Sequence, residues 1–281
     1  MQLPGRFRIL ASITLGAMIL SASGLAALAA DTAKRPLVIA HRGGSKWAPE
    51  NTMAAFAKSL KARADGVELD IHRCKSGELV VIHDETLDRT TSGRGFVKDH
   101  TLEELKKLSA GKWFDQEYAA EKLPLLEDVL KLADGKMIVN IEIKNSPVEY
   151  PGIENDLAKV LQDYKYPDKI LISSFDHELI RRVHKNTPQY QVAFLDAGII
   201  ADVGDYADKI GAKAWNAGFS ELRPDAVERA HKAGLAVNVW TVDGHKKWRE
   251  AMDMKVDGIV TDDPAGLLEY FEDYSSQNFK K

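Results

Sequence analysis

The chain has 281 residues, 38 Lys and Arg against 42 Asp and Glu, a formal net charge of −4, and one cysteine, Cys74. The acidic balance disfavours a nucleic-acid partner, because phosphate backbones are gripped by clustered cations. A lone cysteine excludes an intrachain disulfide, and it leaves zinc-cluster and dithiol redox sites without their partners.

The N-terminus reads as an export signal. Arg6 and Arg8 form a positive n-region, residues 9–28 are uncharged and apolar or small, and Ala27-Leu28-Ala29 fits the small-x-small cleavage pattern. The alternative is a membrane anchor, because the run is near spanning length. Its many Ala, Gly, Ser and Thr residues favour cleavage, and the lack of a nearby cysteine disfavours a lipoprotein anchor. Removal of residues 1–29 takes Arg6 and Arg8 away, moves the formal charge from −4 to −6, and leaves roughly 250 residues, the usual size of one (β/α)8 barrel. No other apolar run approaches spanning length, so no stable membrane span is expected after cleavage. Export places the protein in the periplasm of a Gram-negative source, or outside the cell otherwise.

Strands and helices then alternate along the chain. A strand over 37–40 precedes a helix over 51–63, in which Thr52, Ala55, Phe56, Ser59 and Leu60 follow a 3.6-residue period. A strand over 66–72 has an extended continuation at 78–82, and Pro124 introduces a helix over 125–133. Strands follow over 137–143, 169–174, 191–195, 212–216, 236–240 and 258–261. Their helices lie over 152–163, 176–186, 199–210, 224–233, 243–252 and 263–272. Eight such units predict an α/β fold, a (β/α)8 TIM barrel, in preference to an open sheet. The rhythm breaks once. About 40 residues separate His83 from the next helix, too many for a structureless loop. The expected organisation is a signal at 1–29, a barrel at 30–274 with a small insertion subdomain at about 86–122 on its mouth, and a frayed tail at 275–281.

The chemistry gathers at strand ends, where barrel enzymes keep their functional groups. His41 and Arg42 end the first strand. Glu68 and Asp70 are two apart in the second and share a face. His83 ends the extended continuation, Glu142 and Lys144 end the third, Trp240 the seventh, and Thr261, Asp262 and Asp263 the eighth. Charge inside apolar strands is costly unless something neutralises it. Three acids without a nearby thiolate make a hard oxygen site for one divalent cation, Ca²⁺ or Mg²⁺; the plain alternative is a salt-bridge cluster with Arg42 and Lys144. His41 and His83 suit proton transfer near neutral pH. Arg42 and Lys144 suit phosphate oxygens. His72, His100, His177, His184, His231 and His245 read as structural, and Cys74 as a small packed residue. The set suits cleavage of a phosphate diester.

At these motifs the chain resembles the glycerophosphodiester phosphodiesterases. The matching pieces, in order, are HRGG-x4-PENT at 41–52, DGVELDIHRCKSGELVVIHDETLDRTTSG at 65–93, IEIK at 141–144, SSF at 173–175, VNVWTVD at 237–243 and VDGIVTDDP at 256–264. The resemblance implies a TIM barrel with an insertion after strand 2, and hydrolysis of small-molecule glycerophosphodiesters to sn-glycerol 3-phosphate and an alcohol. It also implies that Glu68, Asp70 and Glu142 bind the metal, that His41 and His83 are the acid–base pair, and that Arg42 and Lys144 contact phosphate. By the same resemblance Glu50 and Asn51 support the metal or phosphate site, and Phe175 and Trp240 line the glycerol or alcohol pocket. The turn Arg73-Cys74-Lys75-Ser76-Gly77 departs from the T-K-D-G of many members and touches no expected ligand. A phospholipase D-like or phosphatidylinositol-phospholipase-like barrel acting on a lysolipid or phospholipid is the competing enzyme reading. It requires apolar loops around the mouth, whereas the insertion is mostly polar, Trp113 and Phe114 apart. A non-enzymatic periplasmic binding protein would have no need of the acids and both histidines together.

Overall fold

The computed structural model describes residues 35–278. The expected signal at 1–29, and residues 279–281 of the expected tail, lie outside the described residues. The strands are β1 (Leu37–Ala40), β2 (Gly66–Arg73), β3 (Leu79–Val81), β4 (Ile138–Ile143), β5 (Ile170–Ser174), β6 (Gln191–Asp196), β7 (Ala214–Gly218), β8 (Ala236–Trp240) and β9 (Gly258–Thr261). All except β3 are parallel, in the order β1-β9-β8-β7-β6-β5-β4-β2. A β1–β2 pairing, Ile39 to Gly66 and Ala40 to Val67, closes the barrel. Helices α1 (Met53–Ala62), α3 (Leu126–Ala133), α4 (Ile153–Leu161), α5 (His177–Asn186), α6 (Val203–Ile210), α7 (Pro224–Lys232), α8 (His245–Asp253) and α9 (Pro264–Asn278) follow the successive barrel strands; α2 (Leu102–Leu105) belongs to the insertion. Among the described residues no helix is long and apolar enough to cross a membrane.

Alternation along each strand separates two environments. Val67, Leu69, Ile71, Val139, Ile141, Ile172, Val192, Trp215, Val237 and Ile259 join one large core with the helices. The other face carries small or polar residues. Leu171, Ala193 and Ala214 form a small separate cluster, and Glu68, Asp70, Asn140, Glu142, Ser173, Asn216 and Asn238 are buried. Ser173 Oγ donates to Asn140 Oδ1 at 3.0 Å, and Asn238 Nδ2 to Asn216 Oδ1 at 3.0 Å. Gly258 makes room for this layer, because a Cβ there would stand 2.4 Å from Asn238 Oδ1.

The insertion has a second, smaller apolar core. β3 turns back antiparallel on β2, pairing Ile71 with Val81 and Arg73 with Leu79. Cys74, Val80, Ile82, Leu87, Val97, Leu105, Ala110 and Leu123 form a core of their own. This core reaches beyond the expected limits of 86 and 122, because β3 supplies one wall. Thr101 and Glu104 close a capping box on α2.

Several expected boundaries shift by two residues or more. The first helix begins at Met53, not 51: Asn51 has φ 56° and Thr52 is the N-cap, its hydroxyl accepting from Ala55 N at 3.3 Å. β7 begins at Ala214, not 212, because the Ala212 N–H is taken by Ala207 O at the end of α6. Only Val203–Ile210 of the expected 199–210 helix is helical. The last helix runs to Asn278, so Ser275–Asn278 is helix and not tail.

Thr52 also donates to Pro49 O at 2.7 Å, so one side chain holds both the PENT turn and the start of α1. Thr52→Ala should therefore cost about 1 kcal/mol of stability, the usual value of an N-cap, and Thr52→Ser less. Denaturant unfolding at equal m-value measures both.

Candidate active site

The chain leaves β1 through a tight turn, His41–Gly43, in which Arg42, Gly43 and Gly44 have φ of 50°, 82° and 89°. Gly43 is required on two counts: its φ is left-handed, and a Cβ would meet Ala55 Cβ at 2.8 Å. The turn brings Arg42 N to 2.9 Å from Glu68 Oε2. It also carries the Arg42 guanidinium over the neighbouring acids, with Nη1 donating to Glu50 Oε1 at 2.8 Å and Nε 3.6 Å from Asp70 Oδ2. Asn51, held left-handed, donates from Nδ2 to Asp70 Oδ2 at 2.8 Å.

Glu68 and Asp70 face inward from β2, and Asp70 is the register partner of Glu142 on β4. All three are buried, and one oxygen from each lies within 4.8 Å of the others. Lys144 Nζ reaches Glu142 Oε1 at 2.7 Å, Asp70 Oδ1 at 3.7 Å and His83 Nε2 at 3.2 Å. Three buried carboxylates against two cations cannot all keep their charge comfortably. Burial, then repulsion from Asp70, pushes the Glu68 carboxyl up to about 8. Burial and Asp70 also raise Glu142. Burial opposes ionisation of Asp70 most strongly, yet Arg42, Lys144, His83 and the Asn51 hydrogen bond outweigh it and hold Asp70 below the usual range. A cluster that retains a proton for want of positive charge, and offers only oxygens, fits a hard divalent cation. Asn51 Oδ1, buried and without a hydrogen-bond partner among the described residues, adds a further oxygen beside it.

The two histidines sit in unlike surroundings. His41 Nδ1 lies 2.6 Å from Asp262 Oδ1 just beyond β9, and Ser45 Oγ donates to the same oxygen at 2.5 Å. Burial disfavours the imidazolium of His41, but the Asp262 hydrogen bond and the charge of Glu68 outweigh it, so the pKa rises. His83 Nδ1 lies 2.7 Å from Asp84 Oδ1. There burial, with Arg42 and Lys144, outweighs Asp70 and Asp84, so the pKa falls. His72 Nε2 bonds the His83 carbonyl at 3.0 Å and its Nδ1 bonds Tyr150 OH at 2.9 Å, a structural role that fixes the backbone of His83.

The structure thus brings His41, Arg42, Glu50, Asn51, Glu68, Asp70, His83, Glu142 and Lys144 into one network. Phe175 and Trp240 stand beyond β5 and at the end of β8 and pair edge to face, ring centres 5.5 Å apart. Asp84, Asp262 and Arg89 enter the network although sequence patterns assign them no role. Asp84 and Asp262 follow strand ends, which is a signal; Arg89 sits in a polar loop, marked only by lying inside the matching stretch 65–93.

Residues 41–266 match the glycerophosphoryl diester phosphodiesterase family. The chain is 44% identical over 235 residues to a glycerophosphodiester phosphodiesterase of Caldanaerobacter subterraneus, covering 83% of this chain and 97% of that one. It is 37% identical over 248 residues to one from Bacillus subtilis, covering 82% and 84%. Among solved structures it is similar to an Oleispira antarctica phosphodiesterase in complex with the product sn-glycerol-3-phosphate, with a TM-score of 0.78, 26% identity, and coverage of 85% and 97%.

The proton held near Glu68 predicts linkage to cation binding. Below about 8 a bound Ca²⁺ or Mg²⁺ must displace that proton, so affinity should rise with pH up to about 8 and then level. Calorimetry in buffers of different ionisation enthalpy should record about one proton released per cation near pH 7. PH-independent affinity without proton release would remove the acid cluster from consideration as the site.

Proposed function

We propose that this chain, which belongs to the glycerophosphoryl diester phosphodiesterase family, hydrolyses soluble glycerophosphodiesters to sn-glycerol 3-phosphate and an alcohol. A divalent cation, Ca²⁺ or Mg²⁺, would be held by Glu68, Asp70 and Glu142. The observation that carries the reading is the clustering of three buried acids, two cations and two differently tuned histidines at the C-terminal mouth of a closed parallel barrel. Such a set serves a diester whose charge must be neutralised and whose two oxygens need opposite proton transfers. The product bound to the Oleispira protein supports the glycerol phosphate half of the substrate.

The bound cation would supply Lewis-acid stabilisation of the phosphoryl oxygens. Arg42 and Lys144 would hold those oxygens and orient the phosphorus, with Glu50 and Asn51 fixing Arg42 and Asp70 beneath them. His83, its pKa lowered and its Nδ1 proton committed to Asp84, is suited to accept a proton at Nε2. His41, its pKa raised by Asp262, is suited to donate one. In this assignment His83 takes the proton of the glycerol 2-hydroxyl, and the 2-oxygen attacks phosphorus. The bond to the alcohol breaks, and His41 protonates the departing oxygen. Water then opens the cyclic glycerol phosphate: His41 takes its proton, and His83 returns one to the 2-oxygen. Attack by a held neighbour is favoured by effective molarities of up to about 10⁵ M or more. Phe175 and Trp240 would line the glycerol or alcohol side. Residues 1–29 would direct the enzyme to the periplasm or outside the cell and be removed. The exposure of Trp113 and Phe175 favours, as a second reading, the same chemistry on a lysolipid.

Two measurements separate these steps. His41→Ala and His83→Ala should each lower kcat by about 10²–10⁴ with folding intact, the scale of a lost acid–base group. If either mutant keeps wild-type kcat while losing thermal stability, that histidine is structural. A 2-deoxyglycerol diester should turn over far more slowly than glycerophosphocholine at equal occupancy. Equal turnover would leave direct attack by water, and preference for intact lysophospholipid would favour the second reading.

A further inference from the structure

Arg89 belongs to the insertion, outside the residues assigned above to metal, phosphate or proton transfer. Its guanidinium makes four hydrogen bonds to two carboxylates. Nη1 donates to Glu50 Oε2 at 2.7 Å and Nη2 to Glu50 Oε1 at 2.8 Å. Nε donates to Asp84 Oδ2 at 2.7 Å and Nη2 to Asp84 Oδ1 at 2.9 Å. Each carboxylate in turn holds a different member of the site: Asp84 accepts from His83 Nδ1 at 2.7 Å, and Glu50 from Arg42 Nη1 at 2.8 Å. One planar fork therefore joins the proton-transfer histidine to the phosphate-contacting arginine. Its own base is fixed, because Leu87 is buried in the insertion core and the surrounding turn is closed by Leu87 N to Gly95 O at 2.9 Å and Thr91 N to Leu87 O at 3.1 Å. Among the described residues His41 has no counterpart, since its Asp262 also accepts from the Ser45 hydroxyl and from no guanidinium.

We infer that Arg89 is a positioning residue that sets the orientation of His83 through Asp84 and of Arg42 through Glu50, and so makes the insertion part of the catalytic geometry. The inference rests on the roles proposed for His83 and Arg42. Only a guanidinium fits: a lysine ammonium offers one point of charge and cannot present two parallel donors to each of two carboxylates. Loss of the fork frees His83 and Arg42, the two side chains that the proposed function sets on the phosphodiester, and a displacement of about 1 Å there is enough to cost about 10²-fold in rate.

The test uses the cation-loaded full enzyme and glycerophosphocholine. Arg89→Ala should lower kcat/KM by about 10²-fold, Arg89→Lys should recover little of it, and added guanidinium should partly restore Arg89→Ala while leaving the wild type unchanged. In the His83→Ala background, Arg89→Ala should cost less than it does alone, because its path through His83 is already broken while the path through Arg42 remains. A folded Arg89→Ala or Arg89→Lys enzyme with wild-type kcat/KM and lowered thermal stability would make Arg89 a structural clamp only. So would a loss undiminished in both the His83→Ala and the Arg42→Ala backgrounds, or a loss that guanidinium does not relieve. Should Arg89→Ala fail to fold, Arg89→Lys, which keeps the charge and bulk, carries the cycle. Wild-type inactivity on glycerophosphocholine would instead overturn the proposed function, whereas an active wild type with an indifferent Arg89 overturns this inference alone.

Discussion

Three carboxylates share one small buried volume, and much of the surrounding architecture answers that fact. An uncompensated buried charge costs several kcal/mol, so Glu68, Asp70 and Glu142 need positive partners close at hand. Lys144 directly follows β4, the strand that carries Glu142, and reaches Glu142 and Asp70 together. Arg42 must come from another strand, and it reaches the acids because the His41–Gly43 turn bends sharply. Gly43 permits that bend against Ala55 and Phe56 of the next helix. Even so, two cations do not balance three acids, and Glu68 retains a proton well above the usual carboxylate range. The deficit of one positive charge leaves the cluster with room to hold a cation, which a satisfied salt bridge would not have.

The same electrostatics makes the two histidines unequal. His41 is backed by Asp262, which also accepts from the Ser45 hydroxyl. His83 stands beside Lys144 and Arg42, and its backing carboxylate is shared with Arg89. The first environment favours an imidazolium, the second a neutral ring. Two imidazoles with equal intrinsic chemistry are thereby suited to opposite tasks. The insertion takes part as well: its bonds to Glu50 and Asp84 tie it to the barrel mouth through charged groups as well as through β3.

A polar barrel interior follows from placing this chemistry so deep. Asn140, Ser173, Asn216 and Asn238 replace the branched apolar side chains that commonly fill such barrels. They continue the polar face below the acids, and the small Ala193, Ala214 and Gly258 leave them space. The stabilising apolar packing is correspondingly concentrated between strands and helices.

The amino-acid sequence by itself determined the barrel, the site of the insertion, and the residues at the strand ends, because period-2 apolar runs and charges inside them are local signals. The boundaries at Met53, Ala214 and Asn278 were not legible. They depend on a cap at Thr52, on where the Ala212 N–H finds its acceptor, and on continued helical bonding past residue 272. Nor was the ranking of His41 and His83, nor the place of Arg89. Asp262 is 221 residues from His41, Glu50 is 39 residues from Arg89, and Lys144 is 61 residues from His83. The spacing of motifs names the groups that do chemistry; the charge each one carries depends on which others the closed barrel sets within a few ångströms, and only the tertiary structure decides that.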